Sequence, residues 1–150
     1  MLKVVLIRPE IPWNAGNVGR TCAAAGAQLH LVGPLGFSLS ERRLRRAGLD
    51  YWKRLSPVLH ESVDSFLNQL PAGADVLAFS AEGARTHWEA EYGADSWLVF
   101  GSESSGLPAE LRDRWKERLH RVPMAAGVRS LNLSTAVAVA LYEGLRVNSR

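Results

Sequence analysis

Apolar residues fall into short unbroken runs separated by longer amphipathic stretches. Leu2–Ile7 (LKVVLI), Ala27–Val32 (AQLHLV), Asp75–Ser80 (DVLAFS) and Ser96–Gly101 (SWLVFG) show almost no polar alternation. Such runs, rich in β-branched and aromatic residues, predict strands buried on both faces, as in a parallel sheet. PVLHE and HRVPM predict two shorter strands. The stretches between them predict helices. The first runs from a cap at Asn14 or Asn17 to Gly26, a glycine suited to the C′ position. ERRLRRAG forms a short basic helix capped by Ser40 and closed by Gly48. A third helix starts at Ser62 or Asp64 and runs through Leu70. PAELRDRWKERL begins a fourth, with Pro108 in its first turn. The strongest helix spans Leu131 to Arg146. Its residues Leu133, Val137, Leu141 and Leu145 make one apolar stripe, and Ala136, Val139 and Tyr142 make another. A helix apolar on two sides is buried on two sides, inside a core or at a subunit interface. The alternation of strand and helix predicts one α/β domain over residues 1–150 with a mostly parallel sheet.

Composition narrows this picture. The chain has 150 residues, 47% of them hydrophobic and 22% charged, enough to bury a core without staples. The lone Cys22 excludes a disulfide framework and fits a reducing, cytoplasmic setting. The first apolar run is too short for a signal segment or a membrane span, and no later one is long enough, so no membrane partner is expected. Net charge is only +3, so its distribution matters more than its total. Arg42, Arg43, Arg45, Arg46, Lys53 and Arg54 form the densest basic cluster, flanked by Tyr51 and Trp52. Cations contact phosphates and aromatic rings stack on bases, which points to RNA; the competing reading is a solvated helix face.

Ligands of open parallel sheets bind at the carboxyl ends of strands. Three such ends carry unusual segments: RPEIPWNAGNVGR, FGSESSGLP and VPMAAGVRSLNLS. Glycine lets backbone approach a ligand closely, and Ser and Asn supply hydroxyl and amide groups. GSESSGLP lacks the Lys-Ser/Thr that grips phosphate, and GNVG is only part of a dinucleotide fingerprint. His30, His60, His87 and His120 have no ligand spacing, so no metal is expected. No nucleophile elbow is present. The segments suit a neutral or cationic small ligand held by backbone groups. The small residues around Arg20 let that helix pack closely against a partner.

Taken in order, the three segments resemble the three motifs of the SPOUT RNA methyltransferases, and within that class the TrmL (YibK-like) family. Asn14, Gly16, Asn17 and Arg20 match the first motif. Phe100, Gly101, Glu103, Gly106, Leu107 and Pro108 match the second. Val122, Pro123, Met124, then Ser130, Asn132, Leu133 and Ser134 match the third. RRLRRAGLDYW also resembles a family segment. Ser105 stands where many members have Arg, Trp13 where Pro is common, and AAGVRS replaces a more polar stretch; these departures bear on the substrate more than on the reaction.

The resemblance implies a SPOUT fold with a C-terminal deep trefoil knot, and a homodimer. It implies transfer of a methyl group from S-adenosylmethionine, leaving S-adenosylhomocysteine, to a ribose 2′-hydroxyl of tRNA. The implied target is cytidine/uridine 34, the wobble position, of leucine tRNAs. Another tRNA or rRNA position, or a non-catalytic RNA-binding protein on the same fold, are the alternatives. An unrelated α/β nucleotide-binding enzyme is disfavoured by the missing lysine. Catalytic roles are carried to Arg20, Asn14, Glu103 and Asn132. Cofactor contacts are carried to Phe79, Ser80, Gly101, Glu103, Val122, Met124, Ser130 and Leu131. Contacts with tRNA are expected at Arg20, Arg42, Arg43, Arg45 and Arg46. An arginine is a poor base because its pKa exceeds about 12, so Arg20 suits binding phosphate or stabilising a forming alkoxide better than accepting its proton.

Overall fold

The computed structural model describes residues 1–40 and 42–149; the side chains of residues 43–45 and 47–50 lie outside that description. Seven strands form one sheet: β1 (Lys3–Ile7), β2 (Gln28–Val32), β3 (Val58–His60), β4 (Val76–Phe79), β5 (Arg85–Thr86), β6 (Trp97–Phe100) and β7 (Leu119–Arg121). Their order is β3-β2-β1-β6-β4-β7-β5, and every pairing is parallel. Among the described residues five α-helices accompany them: α1 (Pro12–Ala25), α2 (Arg42–Leu55), α3 (Val63–Gln69), α4 (Ala109–Arg114) and α5 (Leu133–Asn148).

Successive residues of a strand face opposite sides, so each strand feeds two cores. Val4 and Leu6 join Val18 and Cys22 of α1 and Val137, Ala140 and Leu141 of α5. Val5 and Ile7 join Val63 and Phe66 of α3 and Leu111 of α4. The continuous apolar runs are what a sheet covered on both faces requires.

Several boundaries differ from the sequence reading. Neither Asn14 nor Asn17 caps α1. Ile11 is the N-cap and Pro12 opens the helix, where its missing N–H costs nothing. Gly26 ends it at φ 67, as expected. Gly48 does not close the basic helix, which continues to Leu55. A glycine inside a helix costs about 1 kcal/mol, but Trp52 and Leu55 pack against the α1–α5 core beyond it, and tertiary packing overrides propensity. The fourth helix stops at Arg114; Trp115 is buried in the same core as Leu111, and a single 3-10 turn, Lys116–Arg118, leads into β7. α5 starts at Leu133, leaving Leu131 in the preceding loop. β5 went unread: two residues, one exposed and one partly buried, give no apolar signal.

Candidate active site

β1, β6, β4 and β7 are neighbours, and their carboxyl ends open into one cleft of about 570 Å³. That volume suits a ligand the size of a nucleoside derivative. Phe79 and Phe100, the last residues of β4 and β6, stack at 4.7 Å at its base. Val122, Met124, Leu131 and Leu133 supply apolar wall, while Ser80, Ser102, Ser130 and Asn132 supply polar groups. All eight residues expected to touch the cofactor line this cleft: Phe79, Ser80, Gly101, Glu103, Val122, Met124, Ser130 and Leu131. Asn14 and Asn132 line it too.

The loop after β6 is a tight hairpin, with Ser102 and Gly106 bonded in both directions. Gly106 has φ 65. A Cβ on Gly101 would lie 2.0 Å from the Gly106 carbonyl carbon and 2.1 Å from the Leu107 nitrogen. Gly101 is therefore needed for the hairpin to fold back on itself, before any ligand is considered.

Two carboxylates clasp this hairpin to the segment before α1. The Glu103 carboxylate accepts from the backbone N–H of Glu10 at 3.0 Å and from that of Ile11. The Glu10 carboxylate accepts from the hydroxyl and backbone N–H of Ser104. The Ser104 and Ser102 hydroxyls hold the Glu10 carboxyl below its ordinary range. Glu103 thereby satisfies donors at the start of a helix that has no side-chain cap of its own. Neither Glu10 nor Ser104 was singled out from the sequence; a signal existed in the acid and serines of the two motif loops, but not their pairing.

Asn132 caps α5, its side-chain oxygen accepting from the Thr135 N–H at 3.3 Å and the Ser134 hydroxyl at 2.6 Å. Its amide donates to the Asn14 side-chain oxygen at 3.0 Å. The third motif is thus tied to the first. Ser130 stands free of this cap in the exposed loop that borders the cleft.

Arg20 is not brought into the cleft. It is exposed on α1 with its guanidinium carbon 5.3 Å from the centroid of the Tyr51 ring. Tyr51 and Trp52 are not the free stacking platform expected from the sequence. Tyr51 faces Arg20, and Trp52 packs over Gly19, where a Cβ would stand 2.8 Å from its ring. This explains one of the small residues near Arg20: a side chain at position 19 would push α2 away. Arg42 and Arg46 are exposed on α2; the side chains of Arg43 and Arg45 lie outside the described residues. Arg112, bonded to Glu82 at 2.8 Å, and Arg129 also line the cleft and were missed, since isolated arginines carry no motif.

Among the described residues no group of three or more His, Cys, Asp or Glu is placed to hold a metal, and no helix is long and apolar enough to cross a membrane. The four histidines are all buried, and the sheet brings His30 and His60 within 3.0 Å of each other; neither lines the cleft.

An open parallel sheet whose strand ends carry a cleft of this size, walled by aromatic, apolar, hydroxyl and amide groups, defines a class: α/β proteins with a small-molecule site at the strand ends. The sequence profile of the SpoU rRNA Methylase family matches residues 1–142, and the chain belongs to that family. It is 47% identical over 148 residues to a tRNA (cytidine(34)-2′-O)-methyltransferase of Burkholderia cenocepacia, covering 97% of this chain and 95% of that one. A solved structure concerned with the 2-OH methylation of C/U34 on tRNA superposes with a TM-score of 0.94 at 51% identity, covering 100% of this chain and 92% of that one. An AdoMet-bound rRNA methyltransferase from Sinorhizobium meliloti superposes with a TM-score of 0.87 at 32% identity, covering 97% of this chain and 56% of that one.

Proposed function

We infer that this chain is an S-adenosylmethionine-dependent tRNA methyltransferase that modifies the ribose 2′-hydroxyl of cytidine/uridine 34, with leucine tRNAs as substrates. The observation that carries the reading is the cleft: one volume gathers every residue expected at the cofactor, in a chain alike over its full length to enzymes of that activity. Its chemistry fits the cofactor. The stacked Phe79–Phe100 pair and the Val122, Met124 and Leu131 walls suit an adenine ring, and the serines and asparagines suit ribose hydroxyls and an amino-acid end. When bound, S-adenosylmethionine supplies an electrophilic methyl group on a sulfonium.

The protein's own share is alignment and charge. The hairpin and the 122–132 loop would hold the cofactor in one place, and transfer to an oxygen depends on such alignment. Glu103 and the Asn14–Asn132 pair hold those loops in register. Arg20 lies outside its own chain's cleft, so in this reading it reaches a partner's cleft across a homodimer, where it binds an adjacent phosphate or stabilises negative charge on the 2′-oxygen. Arg42, Arg43, Arg45 and Arg46 steer the tRNA. A homodimer is part of this reading: Val139 and Tyr142 of α5 are 37% and 49% exposed, an apolar face suited to a second copy. So are a cytoplasmic location, a single domain over residues 1–150, and a deep trefoil knot closed by α5. Support for the knot is the family match over residues 1–142. Pulling the chain by its ends would leave the contour short by the length of the tightened knot; full extension would reject it. Sedimentation would show a dimer.

The deciding experiment maps 2′-O-methyl marks in tRNA from a strain lacking the gene, and restores them with purified protein and S-adenosylmethionine. Loss and recovery at nucleotide 34 of leucine tRNAs supports the reading. A mark lost elsewhere moves the substrate. No mark lost, with tRNA still bound, favours the non-catalytic alternative.

A further inference from the structure

Tyr51 stands at a place the reaction has use for. Among the described residues it is the group set against the Arg20 guanidinium, at 5.3 Å from ring centroid to carbon, and no carboxylate there forms an ion pair with Arg20. The kind of partner matters. A carboxylate would neutralise the charge and occupy two of the five N–H donors in a bidentate pair. An aromatic face attracts the cation through its quadrupole and leaves the donors at the guanidinium edge free. An arginine that must present charge and donors to an anionic oxygen is better held by a ring than by an acid.

The ring is itself held. Tyr51 lies on α2 directly before Trp52, and Trp52 is seated over Gly19, the residue directly before Arg20. Two consecutive residues of α2 therefore meet two consecutive residues of α1. The Trp52–Gly19 contact fixes the spacing of the helices, and the Tyr51–Arg20 contact uses it.

We propose that Tyr51 is a positioning residue for the methyl transfer, holding the Arg20 guanidinium by its face so that its edge stays free for the RNA. The proposal rests on the reading of Arg20 as the residue that meets the acceptor oxygen or a neighbouring phosphate. It assigns a role in the reaction to a residue that lies outside the cleft and outside the three motifs.

The test compares Tyr51→Leu, Tyr51→Phe and Arg20→Ala, singly and with Tyr51→Leu combined with Arg20→Ala, using a tRNA transcript and S-adenosylmethionine. Tyr51→Leu should lower kcat about two- to fivefold, the worth of an exposed cation–π contact, with KM for S-adenosylmethionine unchanged. Tyr51→Phe keeps the ring and should keep most of the rate. In the Arg20→Ala background, Tyr51→Leu should have no further effect. NMR of the Arg20 side chain gives a readout independent of turnover: its ring-current shifts should vanish in Tyr51→Leu and persist in Tyr51→Phe. An unchanged rate in Tyr51→Leu, an equal loss in Tyr51→Phe, or an undiminished effect of Tyr51→Leu without Arg20 each overturns the proposal. Full activity of Arg20→Ala overturns the reading of Arg20 beneath it, whatever the NMR reports of the contact.

Discussion

The side-chain amide of Asn132 donates to the side-chain oxygen of Asn14 at 3.0 Å, joining residues 118 positions apart. Asn14 is 4% exposed, so its oxygen has little access to water and depends on this donor. The same Asn132 side chain caps α5. One residue therefore starts the last helix and ties it to the first. Asn132→Ala should lose both functions and destabilise by on the order of 2–4 kcal/mol, from cap and orphaned oxygen together. Asn132→Ser keeps a capping hydroxyl and should lose less. Urea denaturation measures the difference, and an Asn132→Ser variant as stable as the parent would mean the link to Asn14 contributes nothing.

Gly101 admits no side chain, because its Cβ would collide with the backbone of Gly106 and Leu107. Gly101→Ala should open the hairpin at a cost of about 1–3 kcal/mol or more, and cofactor affinity should fall with stability. Paired thermal melts and calorimetry with S-adenosylhomocysteine would check this. A variant as stable as the parent that fails to bind would instead mean that the side chain blocks the ligand directly.

Glu103 holds the backbone N–H groups of Glu10 and Ile11 at the start of α1. Glu103→Ala should remove about 0.5–2 kcal/mol of capping interaction and weaken S-adenosylhomocysteine binding as the two loops part. Glu103→Gln retains one acceptor oxygen and should recover part of both. If affinity stays intact in Glu103→Gln while the rate collapses, the carboxylate acts on a proton rather than as a clasp.

His30 and His60 share a hydrogen bond of 3.0 Å inside the sheet's apolar surroundings, stacked with ring centroids 5.3 Å apart. Burial lowers both, His30 from its usual 6.5 to about 4, aided by the mutual repulsion of the charged forms and by Lys3. The folded state then resists protons that the unfolded chain accepts. The contribution is fully present above about pH 6.5 and is lost as pH falls from there towards 4. The melting temperature should decline over that interval, and His30→Phe should flatten the decline. A parent curve flat between pH 6.5 and 4 would contradict it.

The arginines of α2 are assigned to tRNA through charge alone. Replacing Arg42, Arg43, Arg45 and Arg46 with Ala should weaken tRNA binding and reduce its dependence on salt, because fewer counterions are released. Cofactor affinity should not change. Filter binding across a salt series would decide, and an unaltered slope would return the cluster to an ordinary solvated face.

Much of this was written in the chain itself. The apolar runs LKVVLI, DVLAFS and SWLVFG determined buried parallel strands, since a strand covered on both faces loses its alternation of apolar and polar positions. Gly26 determined where α1 ends, because the left-handed conformation there favours glycine. The motif residues determined which strand ends line the cleft. The relations among them came only with the tertiary structure. That Glu103 serves α1, that Asn132 reaches Asn14, that Gly48 lies within a helix and that Tyr51 faces Arg20 are contacts across 31 to 118 positions or outcomes of packing. Local pattern carries no record of them. A helix runs past a glycine, and a carboxylate finds a backbone N–H, because packing energies outweigh the fraction of a kcal/mol to about 1 kcal/mol by which single residues prefer one local state over another.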